Sequence, residues 1–194
     1  MSAPVLHLAS ASPRRRDILT AIGIKHTHAG VDIDESRHPG ESPVAMVRRL
    51  AREKAEAATS DLPVLGADTV VVLGDTVFGK PTSADDALSM LGALSGKVHR
   101  VMTAVAINQD GATAVDMSDT EVRFRDIDPD EALAYWHSGE PAGKAGAYAI
   151  QGIGGVFVES IEGSYSGVVG LPVFETARLL ATVGISVPGA IDEL

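Results

Sequence analysis

The chain has 194 residues, 45% of them hydrophobic, and a formal net charge of −10 at pH 7; this length fits one compact domain, residues 1–194. It contains no cysteine, which excludes disulfides, thiolate catalysis and cysteine-based metal sites. The negative charge argues against nucleic-acid polymers and anionic membranes as partners, and the lack of a long apolar run or a signal-peptide pattern predicts a cytoplasmic protein.

The first predicted strand, residues 5–9, ends in a loop suited to an anion. Two serines and a proline lead into a helix that opens with three arginines: Ser10, Ser12, Pro13, Arg14, Arg15 and Arg16. Ser12 is a favourable N-cap and Pro13 fits the first helical position. Three cations there oppose the helix dipole, so they indicate either a solvated basic turn or, as we favour, a phosphate site. Arg16 is expected to be a solvated surface charge.

Charge is unevenly distributed around this loop. Residues 1–54 hold nine Lys and Arg against six Asp and Glu, so the acidic excess lies in the remainder of the chain. A locally basic segment in an acidic protein suits a small polyphosphate better than a long polymer. A second strand is predicted from Lys25 to Gly30 and is followed by Asp32, Asp34 and Glu35. These carboxylates form either a solvated acidic turn or a source of oxygen ligands for Mg²⁺.

The next predicted elements carry a lysine and an aspartate in apolar surroundings. Ser42-Pro43 begins a helix that extends to about Thr59, and Lys54 falls on its apolar stripe. Such a lysine either extends its ammonium group to solvent or reaches an interior anion. Residues 63–73 read as a buried strand of a mixed sheet that contains Asp68. Because burying a carboxylate without partners is costly, Asp68 is either bonded to backbone at a bulge or placed for chemistry.

A hairpin turn at Gly74-Asp75 is predicted to bring Lys80 beside Asp68. The remaining predicted elements are a helix from Thr82 or Ser83 to Leu94, strands Lys97–Gln109 and Ala112–Arg125, a helix Asp128–Ser138, a strand Val156–Ile161, a polar loop Gly163–Gly167 and a final helix Pro172–Val183. Residues 143–155 are glycine-rich and either form a flexible connection or approach a ligand closely. In the second case Gln151 offers the donor and acceptor needed to read a base edge.

These elements together resemble the Maf family of nucleoside triphosphate pyrophosphatases. The matching stretches run in family order over nearly the whole chain: Leu8–Leu19 (LASASPRRRDIL), Ala51–Ala55 (AREKA), Gly66–Val71 (GADTVV), Gly79–Pro81 (GKP), Leu94–Gly96 (LSG), Thr103–Val105 (TAV), Lys144–Gly152 (KAGAYAIQG) and Gly163–Pro172 (GSYSGVVGLP). The resemblance implies an α/β fold with a mixed, elongated β-sheet flanked by helices and two lobes around a central cleft, as in Maf and ITPase-like proteins.

The resemblance also implies a reaction and its residues. The reaction is metal-assisted hydrolysis between the α- and β-phosphates of a nucleoside triphosphate, with Mg²⁺ or Mn²⁺ as the cation. Asp68 is the implied catalytic residue and metal ligand, and Glu35 serves the metal or the water, with Asp34 as the alternative carboxylate. The implied substrate-binding residues are Ser10, Ser12, Arg14, Arg15, Lys54, Thr69, Lys80 and Gln151. Of these, Arg14, Thr69 and Gln151 match positions that mark the branch acting on dTTP and UTP.

The residues and the resemblance together indicate one preferred function and two alternatives. The preferred function is house-cleaning hydrolysis of dTTP, UTP and modified pyrimidine nucleotides to the monophosphate and pyrophosphate. One alternative is the same reaction on 7-methyl-GTP. The other is a nucleotide-binding regulator of cell division with little catalysis. A homodimer is what the resemblance suggests for the assembly.

Overall fold

The computed structural model describes residues 3–189, so the predicted domain of residues 1–194 includes positions at both ends that lie outside the described residues. The strands are β1 (Leu6–Ala9), β2 (His26–Ala29), β3 (Val64–Leu73), β4 (Thr76–Phe78), β5 (Val98–Gln109), β6 (Ala112–Phe124) and β7 (Val158–Glu162). The helices are α1 (Pro13–Ala21), α2 (Pro43–Ala57), α3 (Ala84–Leu94), α4 (Pro129–His137), α5 (Tyr165–Val169) and α6 (Val173–Thr182). Within this range no helix has the length and apolar character needed to cross a bilayer.

The strands form one seven-stranded mixed sheet, which confirms the predicted α/β class. Its order is β2-β1-β3-β5-β6-β7, with β4 paired to β3. β1 is parallel to both β2 and β3, whereas the β3–β4 and β6–β7 pairs are antiparallel. Parallel neighbours require a crossover, and α1 and α2 supply the helices for the first two. The loop that follows β1 and the loop that precedes α2 both belong to these crossovers.

The described residues divide into two compact units, each with its own hydrophobic core. The first unit holds the described residues up to Asp68, then Thr103–Ser118, and those from Gly170 onward. Its core includes Leu8 and Leu65 from neighbouring strands, and the fully buried Leu19 of α1. The second unit is Thr69–Met102 and Asp119–Val169, with a core around Phe124, Tyr148 and Phe157.

Near the C-terminal end, one short predicted strand is confirmed with shifted bounds and one predicted loop was wrong. Residues 153–157 form a 3-10 turn, so the strand predicted from Val156 begins only at Val158. The predicted polar loop at residues 163–167 becomes the start of α5. Ser164 explains the second difference, because its hydroxyl accepts a hydrogen bond from Gly167 N at 3.0 Å and so acts as a helix cap.

A buried histidine in the second unit makes the free energy of unfolding depend on pH. His99 is 1% exposed, its Nε2 lies 2.9 Å from the Tyr148 hydroxyl, and burial lowers its pKa from 6.5 to about 4. Because the unfolded chain then binds a proton that the folded chain does not, stability falls as pH drops from about 6.5 to 4. The full shift corresponds to roughly 3 kcal/mol.

We therefore expect His99→Gln, whose amide can still meet Tyr148, to show a shallower loss of unfolding free energy than the wild type between pH 7 and pH 4.5. Urea unfolding at a series of pH values measures this difference. His137→Gln changes an exposed histidine of the same unit and should follow the wild-type curve. Parallel curves for wild type and His99→Gln would contradict the prediction.

Candidate active site

A buried lysine between two carboxylates is the centre of the candidate site. Lys54 of α2 donates from Nζ to Asp68 Oδ1 of β3 at 2.7 Å and lies 2.5 Å from Glu35 Oε1. Lys54 and Asp68 are 8% and 7% exposed, so the pair is shielded from water. Of the two alternatives left open for Lys54, the one in which it reaches an interior anion holds. Asp68 is bonded to a cation, and its burial is thereby explained without a bulge.

Close packing of α2 on β3 brings this pair together, and it depends on Gly66. A Cβ added at Gly66 would lie 2.5 Å from Ala55 N and would also overlap Ala51 O, both backbone atoms of α2. The helix backbone therefore rests directly on the strand, with Lys54 beside it. Gly66 and Asp68 are two residues apart, so they lie on the same face of β3. The helix α2 that packs on Gly66 therefore also faces Asp68.

The serine and arginine loop after β1 is held by its own hydrogen bonds. Ser10 Oγ accepts from Ser12 N at 3.2 Å and from Arg15 Nη1 at 3.1 Å. Arg15 Nε donates to Gly170 O at 2.8 Å. Ser12 occupies the predicted N-cap position of α1, but its hydroxyl makes no capping bond. Two of the guanidinium donors of Arg15 therefore hold the loop, so Arg15 contributes to its shape as well as to its charge.

The loop arginines and the carboxylates belong to one electrostatic environment. Burial lowers the pKa of Arg14. Burial also lowers the pKa of Arg15, with Asp68 and Glu35 opposing and Arg14 adding to this effect. α1 has no acidic residue in its first turn to offset these charges. Two neighbouring arginines at a helix N-terminus leave a positive region that an anionic ligand would stabilise. Arg16, expected to be a solvated surface charge, is half-buried, and its Nη1 lies 2.9 Å from His28 Nε2 in an exposed contact.

An ion-pair network that the sequence did not indicate holds the segment carrying Glu35. Arg49 of α2 binds both carboxylate oxygens of Glu41, at 2.7 and 2.9 Å, and donates to Ser36 O at 2.9 Å. The Arg49 guanidinium holds the pKa of Glu41 at about 2. The Asp34 side chain bonds within its own segment, because its Oδ1 accepts a hydrogen bond from Ser36 N at 2.9 Å. Of the two candidate carboxylates, Glu35 is the one that meets Lys54.

The carboxylate pair fits a divalent cation. Asp68 and Glu35 already converge on one positive group, the Lys54 ammonium. Among residues 3–189 no three His, Asp or Glu side chains are grouped in a way that could hold a metal by themselves. Mg²⁺ is commonly bound by one or two carboxylates with substrate phosphates and water completing its shell, so two carboxylates in the unit that also holds the serine and arginine loop match its requirements.

The other predicted site residues lie in the second unit. Thr69 directly follows Asp68 along β3 and is partly buried, whereas Lys80 and Gln151 are exposed. Gly79 O accepts from Gly146 N at 3.1 Å, which joins the segment of Lys80 to the glycine-rich segment that precedes Gln151. Lys54, Asp68 and Glu35 are thus brought together within the first unit with Ser10, Arg14 and Arg15 nearby. We predicted that Lys80, Thr69 and Gln151 bind the same substrate as these residues of the first unit, and this stays a prediction.

The chain is similar in sequence, over nearly its whole length, to proteins of one family. A family model described as Maf-like protein matches residues 5–183. A protein of Bordetella parapertussis named dTTP/UTP pyrophosphatase is 51% identical over 95% of this chain and 95% of its own. Proteins of the same name from Saccharophagus degradans (50% identical; 90% of this chain, 87% of that one) and Chromobacterium violaceum (51%; 94% and 96%) are similarly related. Among solved structures, the Staphylococcus aureus Ham1 protein is 13% identical with a TM-score of 0.42, covering 61% of this chain and 71% of that one.

Proposed function

The chain belongs to the Maf family, and from that membership we propose that it hydrolyses dTTP and UTP to the nucleoside monophosphate and pyrophosphate. Support comes from relatives that carry this activity in their names and align with this chain over nearly their full length. The observation that carries the proposal is the buried Lys54 held between Asp68 and Glu35 in the unit that also contains the arginine loop. Phosphate-binding cations and paired carboxylates are the two parts that such a hydrolysis requires.

Water attack on an α-phosphorus is opposed by the negative charge around it, so cations on the leaving pyrophosphate lower the barrier. We assign this task to Arg14, Lys54 and Lys80. Ser10, Ser12 and Arg15 shape the loop that receives the phosphates, since the Ser10 hydroxyl and the Arg15 guanidinium already bond within it. Interactions that hold the triphosphate in one orientation also fix the direction from which water can approach.

Asp68 is the residue that we assign to the attacking water. Lys54 binds its Oδ1, and we assign Oδ2 as the acceptor of the water proton. Glu35 and Asp68 would hold Mg²⁺, which supplies charge neutralisation at the phosphates and lowers the pKa of bound water. A carboxylate is a weak base towards water, so correct placement of the water matters as much as proton transfer.

A nucleotide panel tests the proposal. The purified protein is incubated with Mg²⁺ and dTTP, UTP, dCTP, dATP, dGTP or 7-methyl-GTP, and both pyrophosphate and phosphate are measured. We expect pyrophosphate from dTTP and UTP in preference to the others. Preference for 7-methyl-GTP would assign the chain to that reaction, and binding without pyrophosphate release from any nucleotide would favour a regulator and overturn the proposal.

Gln151 is proposed to read the base, since it is exposed and, apart from Lys144 and Tyr148, the other residues of the segment 143–155 are glycine or apolar. We expect Gln151→Glu to reduce kcat/KM for dTTP and UTP about tenfold relative to the other bases, because a carboxylate accepts hydrogen bonds but cannot donate one. Rates on the whole panel measure this change. The affinity for inorganic pyrophosphate should stay the same, and unchanged relative rates across bases would remove Gln151 from recognition.

A further inference from the structure

The segment that carries Gln151 is held by two side chains of an earlier helix and the turn that follows it. Glu140 Oε2 accepts from Ile153 N at 2.9 Å, and its Oε1 accepts from Gly154 N at 2.9 Å. The Tyr135 hydroxyl donates to Glu140 Oε1 at 2.7 Å and accepts from Ala149 N at 3.1 Å. Backbone N–H groups on both sides of Gln151 are therefore bonded to one connected pair of side chains.

The backbone of this segment lies directly against the same two side chains. A Cβ added at Gly152 would lie 2.5 Å from the carboxyl carbon of Glu140, and one added at Gly154 would lie 2.5 Å from the Tyr135 hydroxyl. Glycine is thus required at both positions for the segment to come within hydrogen-bond distance. The glycines of residues 143–155 are compatible with a flexible connection, but here they allow the backbone to lie close to Glu140 and Tyr135 and to form hydrogen bonds with them.

Charge and burial keep the pair in one protonation state. Burial raises the pKa of Glu140, but hydrogen bonds from Gly154, Tyr135 and Ile153 outweigh it and hold that pKa below its usual range. Burial and the Glu140 carboxylate raise the pKa of Tyr135. At neutral pH a carboxylate acceptor therefore faces a phenol donor, and hydrogen bonds to a charged acceptor are the stronger kind. Tyr135 is itself 3% exposed and packs its ring on Phe157.

We propose that Glu140, together with Tyr135, is a positioning residue that sets the base selectivity of the enzyme by holding the Gln151 segment in one conformation. This rests on the proposed role of Gln151 in reading the base. A recognition amide discriminates between bases only if its donor and acceptor are held in place. The side-chain bonds to Ala149, Ile153 and Gly154 hold the backbone on both sides of Gln151.

The decisive variant is Glu140→Gln, which keeps the shape of the side chain. Its amide nitrogen would face a backbone N–H, donor against donor, so one of the bonds to Ile153 and Gly154 is lost. We expect the ratio of kcat/KM for dTTP to that for dATP to fall about tenfold, with KM for dTTP raised and kcat within about twofold of wild type. The affinity for inorganic pyrophosphate should not change.

A matched control comes from the same helix. Glu131 lies in α4, the helix that carries Tyr135, and its carboxylate accepts two short hydrogen bonds from Arg125, at 2.6 and 2.9 Å. Arg125 itself lies outside residues 143–155. Glu131→Gln should leave the base ratio at the wild-type value even if it lowers the melting temperature. Tyr135→Phe, which retains the ring packing, provides a second test of the same contact should Glu140→Gln fail to fold, with a smaller fall in the ratio expected.

The outcomes separate this inference from the proposed function. A fall in the base ratio for Glu140→Gln or Tyr135→Phe, but not for Glu131→Gln, supports it. If Gln151→Glu alters the ratio while both Glu140→Gln and Tyr135→Phe leave it unchanged, the positioning role is overturned and the proposed function stands. If the wild type releases pyrophosphate from no nucleotide, the proposed function fails and this inference fails with it.

Discussion

Asp68→Asn is expected to abolish turnover and to leave triphosphate binding largely intact. Its amide has nearly the shape of the carboxylate and can still accept the hydrogen bond from Lys54. However, it cannot take a proton from water and is a much weaker ligand for a hard divalent cation. We expect kcat for dTTP to fall at least about a thousandfold, a size typical of the loss of an essential catalytic group.

Turnover is measured as pyrophosphate release under single-turnover conditions. Triphosphate binding is measured by calorimetric titration with a non-hydrolysable dTTP analogue. Asp61→Asn makes the same chemical change at an exposed position of the same unit and serves as the control. Loss of binding in Asp68→Asn in proportion to the loss of turnover would mean that Asp68 has a structural role, supporting Lys54 rather than the reaction.

Gly66→Ala is expected to destabilise the fold and to reduce activity. The added methyl group would overlap Ala51 O and lie 2.5 Å from Ala55 N. Both are backbone atoms of the helix, so the overlap cannot be relieved by a change of side-chain rotamer. The helix α2 must therefore move away from β3. Overpacking of this kind costs about 1–3 kcal/mol and occasionally more, and we expect the upper end here. Because the same contact places Lys54 beside Asp68, kcat should fall in the molecules that remain folded.

Urea unfolding with kcat measured well below the transition tests this prediction. The control is Gly92→Ala in α3, where an added Cβ meets no heavy atom within 4 Å. There the substitution should be neutral or stabilising by about 0.5–1 kcal/mol, because alanine is the better helix former. Wild-type stability and activity in Gly66→Ala would show that the backbone contact between α2 and β3 does not determine where Lys54 lies.

Most elements of the fold could be predicted from the sequence, because they produce regular patterns. The apolar stripe of α2 with Lys54 on it, the buried strand around Asp68, and the helix starts at Ser42-Pro43 and at Thr82 or Ser83 were all confirmed. Each depends on residues at most a few positions apart, where periodicity and capping chemistry are visible. The errors fell where polar side chains decide the local backbone, as at Ser164, whose hydroxyl begins α5.

The sequence by itself therefore determined the serine and arginine loop after β1, the buried lysine and the buried aspartate, since local patterns specify all three. Only the tertiary structure decided that Glu35 rather than Asp34 meets Lys54 and that Glu140 holds the segment of Gln151. The bonds responsible join Arg49 to Glu41 and Glu140 to Ile153, residues 8 and 13 positions apart. Hydrogen bonds from a side chain into an irregular segment follow no period, so they become visible only when the chain has folded and brought the two together.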